Sequence, residues 1–393
     1  MDSQKSVLYF YSLSVIAVLA LWGVSLWNGT VEALIRAVWQ GELHGGLPLK
    51  TDYTGVPLID YPVAILVAFF HYGTSGHDEG YQLFLLSAYS ALQPAFVWLY
   101  VEESRPQSKP KWISRPVVFG LLWQCFGGAI SLPLYYANHL CWVSQSNAEI
   151  ARVSNPYRAM ALPFSFLFGA VLPTVIGMAP TWLGPYSRSS AIHQTILAAW
   201  QPDPVWVSLI LLVLTKIVAT LFSDRKLRGN ASRDAERRKA SQWICASYVL
   251  AAISSSMGHL YVITRVVTSH NRAVDVVRMY VPFLSTGPYG ASDILVRGPW
   301  LFLQYDFIII SLSSLSWAFL LLGPIHSRWR ISATSLALIM MTSSAVIGPG
   351  ATVSIALLLR EGHLPDRKFA CLAPTVKPGP RCWDGTCPEL GDS

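Results

Sequence analysis

Charge is scarce in this chain: Asp, Glu, Lys and Arg together make up 13 per cent of its 393 residues, about half the share of a soluble domain. The motifs of several chemistries are missing as well. No DxxD or DDxxD occurs, which excludes enzymes that ionise a prenyl diphosphate with Mg²⁺ held on paired Asp clusters. His71 and His77 stand six apart with no matching pair elsewhere, so membrane di-iron oxidation lacks its ligand boxes. No GxxxxGK[ST], GxGxxG or GxSxG is present, leaving nucleotide-driven chemistry and the serine-hydrolase elbow without their signatures. The six cysteines fit no zinc spacing, and the CWDGTC piece near the C-terminus suits a local disulfide or inert thiols. No metal and no cofactor is expected.

Apolar residues are what the chain has in excess. They make up 52 per cent of it and the mean hydropathy is positive, the composition of a polytopic membrane protein. Runs of near-spanning length are Val7–Trp27, Tyr61–Tyr72, Gln82–Val101, Val117–Asn138, Tyr157–Pro180, Val205–Phe222, Trp243–Val266, Trp300–Leu322 and Ile331–Arg360. The second is short, so the expected fold is an all-α transmembrane helical bundle of eight or nine spans. The first run is too long for the apolar region of a cleaved signal and is read as a signal anchor. One transmembrane domain is expected over 1–362, followed by a polar, flexible tail over 363–393, where Pro, Gly and charge accumulate.

The net charge of +7 is concentrated in two stretches, Arg105–Arg115 and Arg225–Lys239. These are read as short loops that orient the protein in the bilayer; they lack the interleaved aromatics of a nucleic-acid face. The expected location is a multi-pass one in the endoplasmic reticulum, with lipid and no nucleic acid as partner. Placing both loops on one side requires an even number of crossings between them, and three runs intervene. Either the amphipathic stretch Ser189–Trp200, which ends at Gln201-Pro202-Asp203-Pro204, enters the membrane, or one loop is misassigned.

In such a chain the ionisable residues at membrane depth are the functional pointers. Asp306 leads them, since an Asp at a helix centre costs roughly 2.5–3.5 kcal/mol on translocon-type scales. On a helix Asp306, Ser313 and Trp317 share a face, which places an acid, a hydroxyl and a large ring on one wall of a cavity. Gln124, Gly128, Ser131, Tyr135 and His139 fall at spacings of four, three, four and four, one polar stripe along the run that starts at Val117. Asp60 precedes Tyr61-Pro62 in the arrangement of a helix cap, yet His71 lies on the same face about 16 Å further on, so both can line one cavity. Glu102 and Glu103 meet the first basic loop, where pairing with Arg105 is the default. His259 suits an interhelical hydrogen bond, Asp203 a helix cap, and His77, Asp78 and Glu79 a solvated turn. Trp and Tyr rings around a buried acid can stabilise a passing carbocation.

The fragments LIDYPVAILVAFF, FVWLYVEESR, WQCFGGAISLPLYYANHL, ALPFSFLFGAVLP, AWQPDPVWVSL, FLQYDFIIISLSSLSWAF and IGPGATVSIALLLRE, in this order, resemble the larger integral-membrane terpene cyclases of fungal meroterpenoid pathways, the group serving ascochlorin, ascofuranone and macrophorin biosynthesis. The resemblance runs from about Leu58 to Glu361. It implies an all-helical cyclase that folds a farnesyl chain, usually on an aromatic head, and starts ring closure by protonating a terminal epoxide or olefin. That is a class II-like, non-redox isomerase or lyase of secondary metabolism whose partner is a prenylated small molecule. Family roles carry over onto Asp60, Glu102, His139 and Asp306, while Asp203 stands where the resemblance leads one to expect an apolar residue.

The physical reading assigns the acid to Asp306, or second to Asp60, kept in its acid form by desolvation. His139 and Glu102 are candidates to take the last proton. Trp123, Tyr135, Tyr305 and Trp317 are placed around the cation, with Gln124 and His71 as further substrate-binding residues. A proton-coupled small-solute transporter is the rival reading for the same buried acids, though it lacks the internal repeat common in that class.

Overall fold

The computed structural model describes residues 3–106, 109–145, 152–153, 155–222, 230–282, 294–326 and 330–364. Almost everything in them is helical. The chain enters through α1 (Ser3–Ala17), which runs through a π-helical segment (Val18–Gly23) into α2 (Val24–Trp27). Gly29 and Gly41, both in the left-handed region at φ 83° and 66°, bracket α3 (Thr30–Gln40). A two-residue hairpin follows, β1 (Glu42–Leu43) against β2 (Leu47–Pro48), antiparallel. Next come α4 (Pro57–Thr74), α5 (Glu79–Leu92) and α6 (Pro94–Glu103). Helix α4 starts four residues before the predicted run because Pro57 fits the first helical position, where no N–H is required.

The run predicted from Val117 to Asn138 is two helices, α7 (Pro116–Phe126) and α8 (Gly128–Gln145). They are parted at Gly127, whose φ of 103° and ψ of 143° leave the helical region. A Cβ there would come within 2.6 Å of Leu21 Cδ2 and 3.0 Å of Asp306 Oδ1, so glycine is required both for conformation and for space.

Then follow α9 (Pro156–Phe166), a second π-helical segment (Leu167–Val171), α10 (Leu172–Gly177), the short α11 (Pro180–Leu183), α12 (Ser190–Trp200), α13 (Asp203–Phe222) and the long α14 (Asn230–Thr268). The second basic stretch is thus helical from Asn230 onward, not a loop throughout. After α15 (Val276–Tyr280) and α16 (Ile294–His326), the last predicted run also breaks, into α17 (Ala333–Ile347) and α18 (Pro349–His363). Its break is Gly348, at φ 91°. His259 sits against it and its Nε2 lies 3.1 Å from the Ala345 carbonyl oxygen, the interhelical bond expected of that histidine.

Among the described residues, six stretches are long and apolar enough to cross a membrane: Gln4–Trp27, Glu79–Glu103, Pro156–Leu183, Asp203–Phe222, Ala235–Thr268 and Ile294–Gly323. Each contains one of the nine predicted runs. Of the other three, the α4 run is short and two are interrupted by glycine. Outward-facing residues such as Leu19, Val213, Ile253 and Met341 are more than half exposed, which suits a lipid surround rather than water. The predicted tail from residue 365 onward, with Cys371, Cys382 and Cys387, lies outside the described residues. Cys125, Cys141 and Cys245 are free thiols.

Two hydrophobic cores form inside the bundle. The larger joins α1, α6 to α9, α13, α14, α16 and α18; the smaller joins α3, α4, α5, α12 and the start of α16. Helix α16 serves both, with Ile309 and Ile310 in the first and Trp300 and Leu303 in the second. The seam between the two is the place where packing leaves room.

Candidate active site

A cavity of ≈ 290 Å³ opens at that seam, close to the lower end of small-molecule sites at roughly 300–1,000 Å³. Its wall is mostly apolar and aromatic: Trp22, Phe69, Phe70, Trp123, Phe302 and Phe307 contribute rings, and Leu34, Ile65, Leu66, Leu85 and Ile310 aliphatic surface. The rings meet edge to face, Phe69 on Phe302 at 5.3 Å and Trp22 on Phe302 at 5.9 Å between centroids, which fixes their orientation. Trp22 Nε1 donates to the Phe126 carbonyl at 2.9 Å, tying the first helix to the end of α7.

One carboxyl projects into this chamber. Asp306 is 6 % exposed on α16, and its Oδ1 accepts the Ala129 amide of α8 at 2.7 Å. The break at Gly127 creates that donor, since the first amides of a helix have no partner within it. A helix N-terminus thus points at an acid inside the helical bundle, a pairing favoured by the helix dipole. With Oδ1 occupied, Oδ2 is the oxygen left for the chamber. Ser25, Thr30, Tyr89, Gln124 and Cys125 are the other polar members of the lining.

Two of the remaining predicted residues join Asp306. Trp123 and Gln124 line the chamber from the last turn of α7. Tyr305, half-buried in the larger core, is outside it. The predicted stripe from Gln124 to His139 is divided by Gly127, so Gln124 serves the chamber while Tyr135 and His139 stand further along α8.

Glu102, His139 and Trp317 come together in a different place. Glu102 is fully buried and accepts from Arg105 Nε at 2.8 Å, Arg360 at 2.7 Å and His139 Nε2 at 3.0 Å. Arg105 also bonds Glu361 at 3.0 Å. Trp317 Nε1 donates to His139 Nδ1 at 3.3 Å, so Nδ1 carries no proton and the neutral ring donates from Nε2 to Glu102. Tyr135 stacks on His139 at 5.9 Å. Two acids and two arginines balance, and the whole cluster lies outside the chamber lining. The expected Glu102–Arg105 pair therefore exists, buried rather than interfacial, and Glu103 pairs with Arg158 instead. Of the face predicted on α16, Asp306 and Trp317 both bond α8, at Ala129 and His139, while Ser313 donates to the Ile310 carbonyl of its own helix and the neighbouring Ser314 bonds Tyr136 instead; only Asp306 also reaches the cavity.

Asp60 lies within the first turn of α4, not before it. Its carboxylate accepts from the Thr54 amide and hydroxyl at 2.8 Å each and from the Gly55 amide at 3.0 Å. Burial works to raise its pKa, but these hydrogen bonds outweigh it and hold the carboxyl below its ordinary value. It is not part of the chamber lining, and neither is His71, whose ring lies edge-on to His193 at 5.5 Å. His193 is pushed down to about 3 by burial and then by Arg188, so it is neutral and accepts from Arg188 at Nδ1. The turn expected to be solvated is tied down: Asp78 accepts the Tyr81 amide and pairs with Arg278, and Glu79 pairs with Arg265.

Trp22, Phe69, Phe70, Tyr89 and Phe302 also line the chamber, with no polar or charged pattern in the sequence to single them out. Phe69 and Phe70 stand in the quoted LIDYPVAILVAFF fragment, which was the available signal. Trp22 and Tyr89 sit in unremarkable apolar runs, and only packing selects them.

Residues 5–364 match the CtvD domain family. The chain belongs to that family. Its relatives include terpene cyclase DEP1 of Alternaria brassicicola, 26% identical over 92% of this chain and 100% of that protein. Terpene cyclase ctvD of Aspergillus terreus is 27% identical over 84% and 89% of the two chains, and terpene cyclase ascI of Acremonium egyptiacum 26% over 85% and 86%. No solved structure matches the chain. The resemblance drawn from dispersed fragments holds along the whole described length.

Proposed function

We propose that the protein is a membrane-bound terpene cyclase that closes rings on a farnesyl or epoxyfarnesyl chain of a meroterpenoid, in the endoplasmic reticulum membrane, with no change of redox state. The observation that supports it most is a single carboxyl, Asp306, set in a chamber walled mostly by aromatic and aliphatic side chains. The family's named terpene cyclases point the same way.

In this proposal Asp306 holds its proton on Oδ2 and gives it to the epoxide oxygen or the terminal olefin carbon, within hydrogen-bond reach. The cation formed is attacked by the next double bond, C–C bonds form in turn, and a proton leaves the last cationic centre. The Asp306 carboxylate is the basic group among the described lining residues, so it is assigned the returning proton and the enzyme is reset. The walls hold the chain folded for closure and exclude water that would quench the cation. Trp22, Trp123 and Phe302 offer ring faces to the positive charge. Glu102 and His139, bonded to each other outside the chamber, are assigned to holding α6, α8 and α18 together.

The test is expression in a host free of such pathways, fed farnesylated phenols with and without a terminal epoxide. An isomer of unchanged mass from either substrate supports the proposal and identifies the trigger; unchanged substrates from folded protein would overturn it.

A further inference from the structure

Five acids are buried among the described residues: Asp60, Glu102, Asp203, Asp306 and Glu361. Glu102 and Glu361 have arginines, Asp60 has the Thr54 and Gly55 groups, and Asp306 has the Ala129 amide. Asp203 differs. It is 2 % exposed at the start of α13, yet its side chain accepts none of the free amides there. Its one hydrogen bond is from Gln124 Nε2, at 2.6 Å to Oδ1. Burying a carboxyl against a single neutral amide is costly, and that amide belongs to a residue of the chamber wall.

We propose that Asp203 is a positioning residue that fixes which end of the Gln124 amide faces the chamber, and that Gln124 thereby presents its carbonyl oxygen to a hydroxyl group of the bound substrate. An unrestrained glutamine amide can turn over and offer either a donor or an acceptor. Asp203 takes the NH₂ end, so Oε1 is the end that remains. Gln124 stands one turn before the Gly127 break and Asp306 meets the chain just after it. The hydroxyl anchor and the proton donor therefore share one side of the chamber, as a prenyl chain folded back on itself requires.

The inference takes its choice of ligand from the cyclase proposal, and its test separates the two. Binding of a farnesylated phenol and of its O-methyl ether to the detergent-solubilised full chain is followed by tryptophan fluorescence, with Trp22 and Trp123 in the chamber wall as reporters. The same samples are assayed for isomeric product by mass spectrometry. The native protein is expected to bind the phenol about three- to tenfold more tightly than the ether, the worth of one hydrogen bond. Gln124→Met and Asp203→Val should abolish that preference by weakening the phenol alone, while Asp203→Asn, which still offers an acceptor to Nε2, should retain it. Equal binding of phenol and ether by the native protein, a preference that survives Asp203→Val, or a parallel loss of both ligands would overturn the inference. Product formed without the preference defeats the inference alone; the preference without product defeats the cyclase proposal alone.

Discussion

Replacing Asp306 by Asn tests the acid assignment with little disturbance of the fold. The Asn side chain keeps an oxygen in the place of Oδ1, so the 2.7 Å bond from the Ala129 amide is preserved and α8 keeps its N-terminal partner. What is lost is the dissociable proton and any negative charge facing the helix start, the latter worth about 0.3–1 kcal/mol. A positioned general acid contributes about 10²–10⁴-fold, so turnover should fall by at least about a hundredfold while thermal stability in detergent changes little. Asp306→Ala makes the necessary comparison. It leaves the Ala129 amide buried and unpaired at about 1–3 kcal/mol, so it should lose turnover and stability together. Single-turnover conversion of a farnesylated substrate, set beside the unfolding midpoint of each variant, measures both quantities. An Asp306→Asn protein that folds and retains full turnover would refute the acid role; one that unfolds would show that the carboxylate's hold on α8 had been undervalued.

Other expectations follow from the surrounding geometry. Gly127→Ala places a methyl group within 3.0 Å of Leu21 and Asp306 at a φ of 103°, and should lower both stability and turnover by moving the acid; an unchanged product yield would mean that the break is not needed. Arg360→Met leaves buried Glu102 short of a partner, a loss of about 3–5 kcal/mol, seen as a lower unfolding midpoint with the folded fraction still active. Asp60 has a folded pKa below its unfolded value, so its contribution is fully present above about pH 4 and is lost as the pH falls through the folded value. Asp60→Asn should therefore be less stable than the native protein by a constant amount from pH 8 to pH 5, with the gap closing only under stronger acid, as read from unfolding midpoints across that range.

Much of this was legible along the chain. Low charge and recurring apolar runs point to a helical bundle suited to a membrane whatever the tertiary detail, because backbone groups in lipid must be satisfied within the segment. Asp306 is conspicuous for the same reason: the only charged residue between Trp300 and Leu322 needs a partner or a task, and periodicity put it on one helix face with Trp317, which bonds the same neighbouring helix. The absence of Asp-rich and His-rich motifs narrows the chemistry from the sequence alone.

What periodicity could not supply was the ends and breaks of helices and the meeting of distant segments. Gly127 and Gly348 lie inside apolar runs that the sequence presents as single spans; the backbone shows both at positive φ, where each turns one run into two helices. Glu102 and His139 looked like cavity groups, since a sequence does not reveal that Arg360 and Trp317 will close on them from 258 and 178 residues away. Asp203 looked like a cap because it begins a helix; its bond to Gln124, 79 residues earlier, exists only because α7 and α13 pack side by side. Local propensity and hydrophobicity act over a few residues and so are written in the chain, whereas a chamber is the space left over when two cores pack imperfectly, and only the tertiary structure decides where that space lies and which side chains reach it.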